Sequence, residues 1–151
     1  MVSSRTPPDA SAGTRPAISY QIMSGQKDKS VTLTWNGLHA AVTQAANLFR
    51  SLGVGEKDVV AYVLPNSLET AITLLGGSVA GIVNPINPLL EAEQISAILR
   101  ETKAKVVVTL RAFPKTDLAQ KVAEAVKHAP AVRTVIEVDL YLPGCPPAAD
   151  A

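Results

Sequence analysis

The sequence predicts an α/β domain with a mostly parallel sheet and helices on both faces, preceded by a short β-hairpin. Three observations predict it. From about residue 34 onward, strand-type and helix-type segments alternate, giving four strands each separated by a helix; that alternation requires crossover connections, which are right-handed in nearly all parallel sheets. The run Lys105–Leu110 is a largely β-branched segment of the kind buried on both faces of a sheet. Two short extended segments, Ala17–Met23 and Ser30–Leu33, precede the alternation, and the polar, glycine-containing stretch Ser24–Lys29 between them suits a hairpin loop.

The elements follow in order. Residues 1–16 and 141–151 read as irregular tails, because six of the eleven prolines fall in the first 16 or the last nine residues, together with Ser, Ala, Gly and Asp. The folded unit is expected over residues 17–140. After the hairpin, Thr34 is an N-cap candidate, and Leu38, Val42, Ala45, Phe49 and Leu52 mark one face of a helix that Gly53 ends. Asp58–Leu64 is a buried-type strand closed by Pro65.

Asn66 is placed to cap the next helix, with Glu69 three residues on as the reciprocal half of a capping box. Leu68, Ala71, Ile72, Leu75 and Val79 are expected to face inward, and Gly81 to end the helix. A short strand starts at Ile82-Val83, and Pro85 is expected to stop it. A third helix spans about Glu91–Thr102, with Ile95, Ile98 and Leu99 inward. A fourth, Asp117–Lys127, is capped by Thr116 and buries Leu118, Val122 and Val126. Arg133–Val138 is the last strand. The pattern leaves the strand order open.

Composition narrows the function classes. Of 151 residues, 47% are hydrophobic and 18% charged, so a packed core is expected rather than disorder. The net charge of +1, with no long run of one sign, gives no footing for nucleic-acid or polybasic membrane binding. A lone cysteine, Cys145, has no partner for an internal disulfide and no ligand at metal spacing, and a reducing cytoplasm suits it. The N-terminus lacks the apolar stretch of a secretory signal. Thr70–Leu90 is uncharged and about membrane-spanning length, but three glycines and two Asn/Pro pairs interrupt it, and a core helix followed by a buried strand is expected instead.

A search for chemistry finds little. Ligands in an open parallel sheet bind beyond the carboxyl ends of the strands, here Pro65-Asn66, Asn84-Pro85, Leu110-Arg111 and Asp139. No glycine-rich turn runs from a strand into a helix: Gly53-Val54-Gly55 follows a helix, and Gly76, Gly77 and Gly81 read as close helix packing. His39 and His128 lie on or at the end of helices with no carboxylate or nucleophile that sequence places beside them, and Glu91 and Glu93 open a helix where acidic residues favour the dipole. No catalytic residue and no metal ligand is assigned. Arg111 and Lys115, flanking Phe113-Pro114 beyond a buried strand, are the basic pair best placed to meet an anionic ligand.

The order of the segments resembles the acyl- and aryl-CoA synthetases, the adenylate-forming family that includes luciferases. Four stretches carry the resemblance: Thr32-Leu33-Thr34-Trp35-Asn36-Gly37-Leu38, then Leu52–Ala61 with its Leu-Gly-Val-Gly start, then Leu64-Pro65-Asn66-Ser67-Leu68-Glu69, then Gly81–Leu90 followed by Glu93-Gln94-Ile95. It runs from about Ala17 to Asp139. Gly37 stands where the family often has Glu, which loses half of a capping box and costs the first turn roughly 1 kcal/mol.

The resemblance implies that a full-length relative activates a carboxylic acid, fatty or related, as its acyl-adenylate and transfers the acyl group to CoA, with ATP, Mg and CoA as ligands. The family's Ser/Thr/Gly-rich loop ending in Pro-Lys, its metal-binding Thr-Glu pair, its ribose-holding Asp and its C-terminal Lys have no match here. The 151 residues are therefore expected to be catalytically silent and to bind none of these ligands tightly. In some relatives, basic residues on the loop equivalent to that of Arg111 and Lys115 lie near the CoA nucleotide, and the resemblance extends that role to this pair. An alternative is a non-catalytic assembly module that pairs with a partner chain, or with itself, through the face that the rest of such an enzyme covers.

Overall fold

The computed structural model describes residues 11–21, 25, 30–111 and 116–140. A 3-10 turn at Ala12–Thr14 leads into β1 (Pro16–Tyr20), which pairs antiparallel with β2 (Val31–Thr34) as a separate two-stranded sheet. The Ser19 and Thr32 hydroxyls meet across the hairpin at 2.6 Å. Met23 and most of the expected loop lie outside the described residues.

Helix α1 (Trp35–Ser51) begins where Thr34 Oγ1 accepts the Gly37 N–H at 3.2 Å, as expected. It ends at Leu52-Gly53, where Gly53 adopts φ +87°, a left-handed conformation that suits glycine. The chain then alternates through β3 (Val59–Val63), α2 (Leu68–Ala80), β4 (Ile82–Ile86), α3 (Ala92–Thr102), β5 (Val106–Leu110), α4 (Leu118–Val126) and β6 (Thr134–Val138). The four later strands form one parallel sheet in the order β4-β3-β5-β6. Helix α1 packs on α2 and α3 packs on α4, and the two pairs cover opposite faces. Every residue of β5 is buried, which is why that run carries no polar alternation. Val60, Val63, Val106, Val107, Ile95, Leu99 and Val122 form the centre of the core.

Several local expectations need correction. The cap of α2 is Ser67, whose Oγ accepts the Thr70 N–H at 3.1 Å, and Asn66 is exposed. The helix starts one residue later than expected, so Glu69 is its second residue, one place short of a reciprocal box. The inward face of α2 is Leu68, Thr73, Gly76, Gly77 and Ala80, while Leu75 and Val79 are 41% and 53% exposed. Most of this helix is apolar or small, so periodicity does not single out a face. Close packing does: a Cβ on Gly76 would sit 2.7 Å from Ala45 Cβ, and one on Gly77 3.1 Å from Val83 Cγ2. Finally, Pro85 lies inside β4 rather than ending it. Strand β4 is an edge strand, and a proline there takes no hydrogen bond from the ladder.

At the head of α4 the N-cap is Asp117 rather than the expected Thr116; it makes no side-chain cap bond, and Thr116 Oγ1, one residue before it, accepts the Leu118 N–H at 3.0 Å. Gln94 Oε1 accepts the Glu91 N–H at 3.0 Å at the head of α3. No helix among the described residues is long and apolar enough to cross a membrane.

Candidate functional site at the strand order reversal

Strands β3 and β5 are neighbours, yet the chain leaves β3 for β4 on one side and β5 for β6 on the other. Connections that depart in opposite directions open a crevice at the carboxyl ends of two adjacent strands, the usual ligand position in such sheets. Here it lies between Leu64-Pro65-Asn66 and Leu110-Arg111.

The β3 side is tied by hydrogen bonds. Ser67 caps α2, and the Thr70 hydroxyl donates to the Pro65 carbonyl, tying the turn to the first turn of the helix. Asn66, freed from capping, presents an exposed amide at this edge. Sequence reasoning marked Pro65-Asn66 as one of four strand ends and gave the Asn66 side chain only a capping task. The strand order, which places β3 beside β5, is what singles it out.

On the β5 side, the Arg111 backbone N–H donates to the Val138 carbonyl at 3.0 Å. Its guanidinium Nη1 stands 3.6 Å from Asp139 Oδ2, with both side chains more than half exposed. An ion pair that open to solvent contributes little to stability, so it orients the guanidinium rather than locking it. Arg111 rims a recess of about 240 Å³ with Thr116, Asp117 and Gln120, over the first turn of α4. A guanidinium beside the positive end of a helix suits an oxyanion such as a phosphate, and Asp117 and Asp139 limit how much negative charge it accepts. Lys115, the other half of the basic pair, lies outside the described residues.

Other candidates fall elsewhere. Asn84 and Pro85 lie within β4 rather than beyond its carboxyl end. His39 is exposed on α1, and His128, just past α4, has Nε2 3.8 Å from Glu124 Oε1. Among the described residues, no three His, Cys, Asp or Glu side chains gather as a metal-holding group.

The Gly53-Val54-Gly55 turn sits at the amino ends of the strands, opposite the crevice, and is a structural clasp. Asp58 Oδ2 accepts the Gly55 N–H at 2.8 Å, and Lys105 Nζ donates to Asp58 Oδ2 at 3.1 Å and to the Gly53 carbonyl at 2.7 Å. The Gly55 amide first, then the Lys105 ammonium, hold the Asp58 carboxyl below its ordinary value. Gly81 closes against the same turn, where a Cβ would lie 2.6 Å from the Asp58 and Gly55 carbonyl oxygens.

Known proteins share the sequence and fold of this chain. The AMP-binding enzyme family matches residues 7–148. The chain is 44% identical over 84 residues to marinolic acid–CoA ligase of a Pseudoalteromonas species, covering 56% of this chain and 13% of that protein. It is 35% identical over 118 residues to acetyl-coenzyme A synthetase of Sodalis glossinidius, covering 75% of this chain and 18% of that one. The chain thus spans less than a fifth of the length of these curated relatives. Among solved structures, the N-terminal domain of FACL13 from Mycobacterium tuberculosis superposes with a TM-score of 0.63 at 26% identity, over 72% of this chain and 27% of that domain. A parallel sheet with its reversal between β3 and β5, a family match over nearly the whole chain and this structural likeness together establish that the chain belongs to the AMP-binding enzyme family, of which it carries part of the N-terminal region.

Proposed function

We propose that this chain is part of the N-terminal domain of a cytoplasmic, ATP-dependent acyl-CoA synthetase acting on a fatty or related carboxylic acid. In that reaction the acid's carboxylate attacks the α-phosphorus of ATP and releases pyrophosphate. The CoA thiol then attacks the acyl carbonyl and releases AMP. Magnesium would neutralise the ATP phosphates, and nothing in this chain resembles the phosphate loop or metal pair of the family. The family match over residues 7–148 carries the reading. The chain's own contribution is the scaffold of the crevice and one basic edge, where Arg111, with Lys115 on the same loop, faces a phosphate of the CoA nucleotide.

Two assays test this. The isolated chain shows no acid-dependent exchange of pyrophosphate into ATP, and exchange above the enzyme-free background that disappears without acid overturns the reading. In a chimeric ligase carrying residues 17–140 in place of the matching segment of a relative, Arg111→Ala raises the KM for CoA about tenfold, the loss of one charge-assisted contact. Exchange, which precedes CoA, stays unchanged. An unaltered KM for CoA removes Arg111 from the site.

One observation favours a second reading, assembly with a partner. Leu75 and Val79, one turn apart on α2, are 41% and 53% exposed, and Ile82, which opens β4, is 51% exposed. An apolar stripe of this kind marks a covered surface, which the remainder of a ligase domain or a second copy would bury. Concentration-dependent association in sedimentation, lost in Val79→Glu, supports it; a monomer at every concentration counts against it.

A further inference from the structure

Away from the crevice, helices α3 and α4 enclose a cleft of about 390 Å³, within the size range of small-molecule sites. One wall is a single stripe of α3, Glu93, Ser96 and Arg100, and the other is Glu124 and His128 from the end of α4. Ser96 is the telling residue. Ser51, Ser78 and Thr102 each donate to a carbonyl of their own helix, at 2.7 to 2.8 Å. Ser96 does not: only 4% exposed, it lines the cleft with its Oγ buried and without a hydrogen-bond partner among the described residues. A buried hydroxyl left unpaired carries a desolvation cost that a ligand atom would remove.

The charges beside it select the ligand. Among the described residues the Arg100 guanidinium has no acidic partner, whereas Glu124 is already held by Lys127 Nζ at 2.8 Å, which draws its carboxyl below the ordinary value. Arg100 therefore offers a free fork for an oxyanion, one turn from the Ser96 hydroxyl. Glu93 stands seven residues before Arg100, about 10 Å along the axis, and among the described residues it is also without a cationic partner. Two carboxylates in the same cleft oppose a phosphate dianion, while Glu93 suits an ammonium.

We propose that the α3–α4 cleft binds a small zwitterion, its carboxylate on Arg100 and Ser96 and its ammonium on Glu93. This site is distinct from the crevice at the carboxyl ends and does not depend on the ligase reading. The probe is ε-aminocaproate, titrated into the chain and followed by amide-resolved NMR, with caproate and inorganic phosphate as parallel arms. Expected are saturable shifts confined to α3 and the end of α4 with ε-aminocaproate, and at least about fivefold weaker binding of caproate. Arg100→Gln weakens ε-aminocaproate about tenfold or more, in keeping with loss of a charge-assisted pair, while Ser96→Ala weakens it less and keeps the fold. Absence of saturation, binding unchanged in Arg100→Gln, or phosphate or caproate binding as well as ε-aminocaproate overturns the proposal.

Discussion

The contact between α1 and α2 makes Gly76→Ala a sharp test of the packing. Replacing a glycine inside a helix by alanine ordinarily gains about 1 kcal/mol, because the backbone loses less freedom on folding. Here the new Cβ would stand 2.7 Å from Ala45 Cβ, 3.3 Å from the Ala46 nitrogen and 3.4 Å from the Val42 carbonyl oxygen. Carbon atoms rest at roughly 3.5–4.0 Å, so the methyl is about 1 Å too close to a side chain that has no rotamer to turn away. The helices must separate, and overpacking of this kind costs about 1–3 kcal/mol. Subtracting the propensity gain leaves a net loss of up to about 2 kcal/mol. The assay is urea unfolding followed by circular dichroism for the wild type, Gly76→Ala, Ala45→Gly and the double variant. Removing the Ala45 methyl should recover at least about 1 kcal/mol of the Gly76→Ala loss, a coupling expected only of residues in contact. If Gly76→Ala instead stabilises the chain by its full propensity gain, with no coupling to position 45, the close approach of the two helices is wrong.

Three further outcomes are expected. Gly37→Glu supplies the missing half of the capping box opposite Thr34; a Cβ there meets only ordinary contacts, at 3.5 Å and beyond, so unfolding should shift to higher denaturant by about 1 kcal/mol, and a loss would show that the cap is not formed. Lys103 ends α3 with φ +53°, so Lys103→Gly should stabilise by up to about 1 kcal/mol in the same assay, a result that an unchanged midpoint would contradict. The Asp58 carboxyl is held below its ordinary value; a group whose folded value is depressed stabilises the fold above the unfolded value and loses that contribution as pH falls through the folded one. Asp58→Asn should therefore lower the melting temperature at neutral pH and flatten its decline at acid pH, below the ordinary carboxylate value of about 4, and an unchanged acid limb would assign that decline to other groups.

Much of the architecture was legible in the residues themselves, and the reason is local. The Thr34 cap, the stop at Gly53 and the buried run at β5 arise from short-range hydrogen bonding, backbone freedom and burial, all of which leave their mark within a few residues. The resemblance of four ordered segments added the family, which no single residue declared. Local rules failed where two answers were locally equivalent. Asn66 and Ser67 are both good caps, and only the exact start of α2 chose Ser67. Leu75 and Val79 are more hydrophobic than Gly76 and Gly77, yet the glycines face inward, because a helix with two usable faces turns toward its neighbour the one that lets backbones approach.

The sequence by itself determined the α/β class, the succession of elements and the family, because hydrophobic period, caps and motif order are properties of the chain in one dimension. Tertiary structure alone decided which strands are neighbours. The order β4-β3-β5-β6 puts the reversal between β3 and β5, makes β4 an edge that tolerates Pro85, and brings Asn66 and Arg111 to the rim of one crevice. It also brought Ser96 and Arg100 of α3 against Glu124 and His128 of α4. Such pairings link residues far apart along the chain, and the free energy that selects them comes from burying whole faces together, a quantity that no short window of sequence contains.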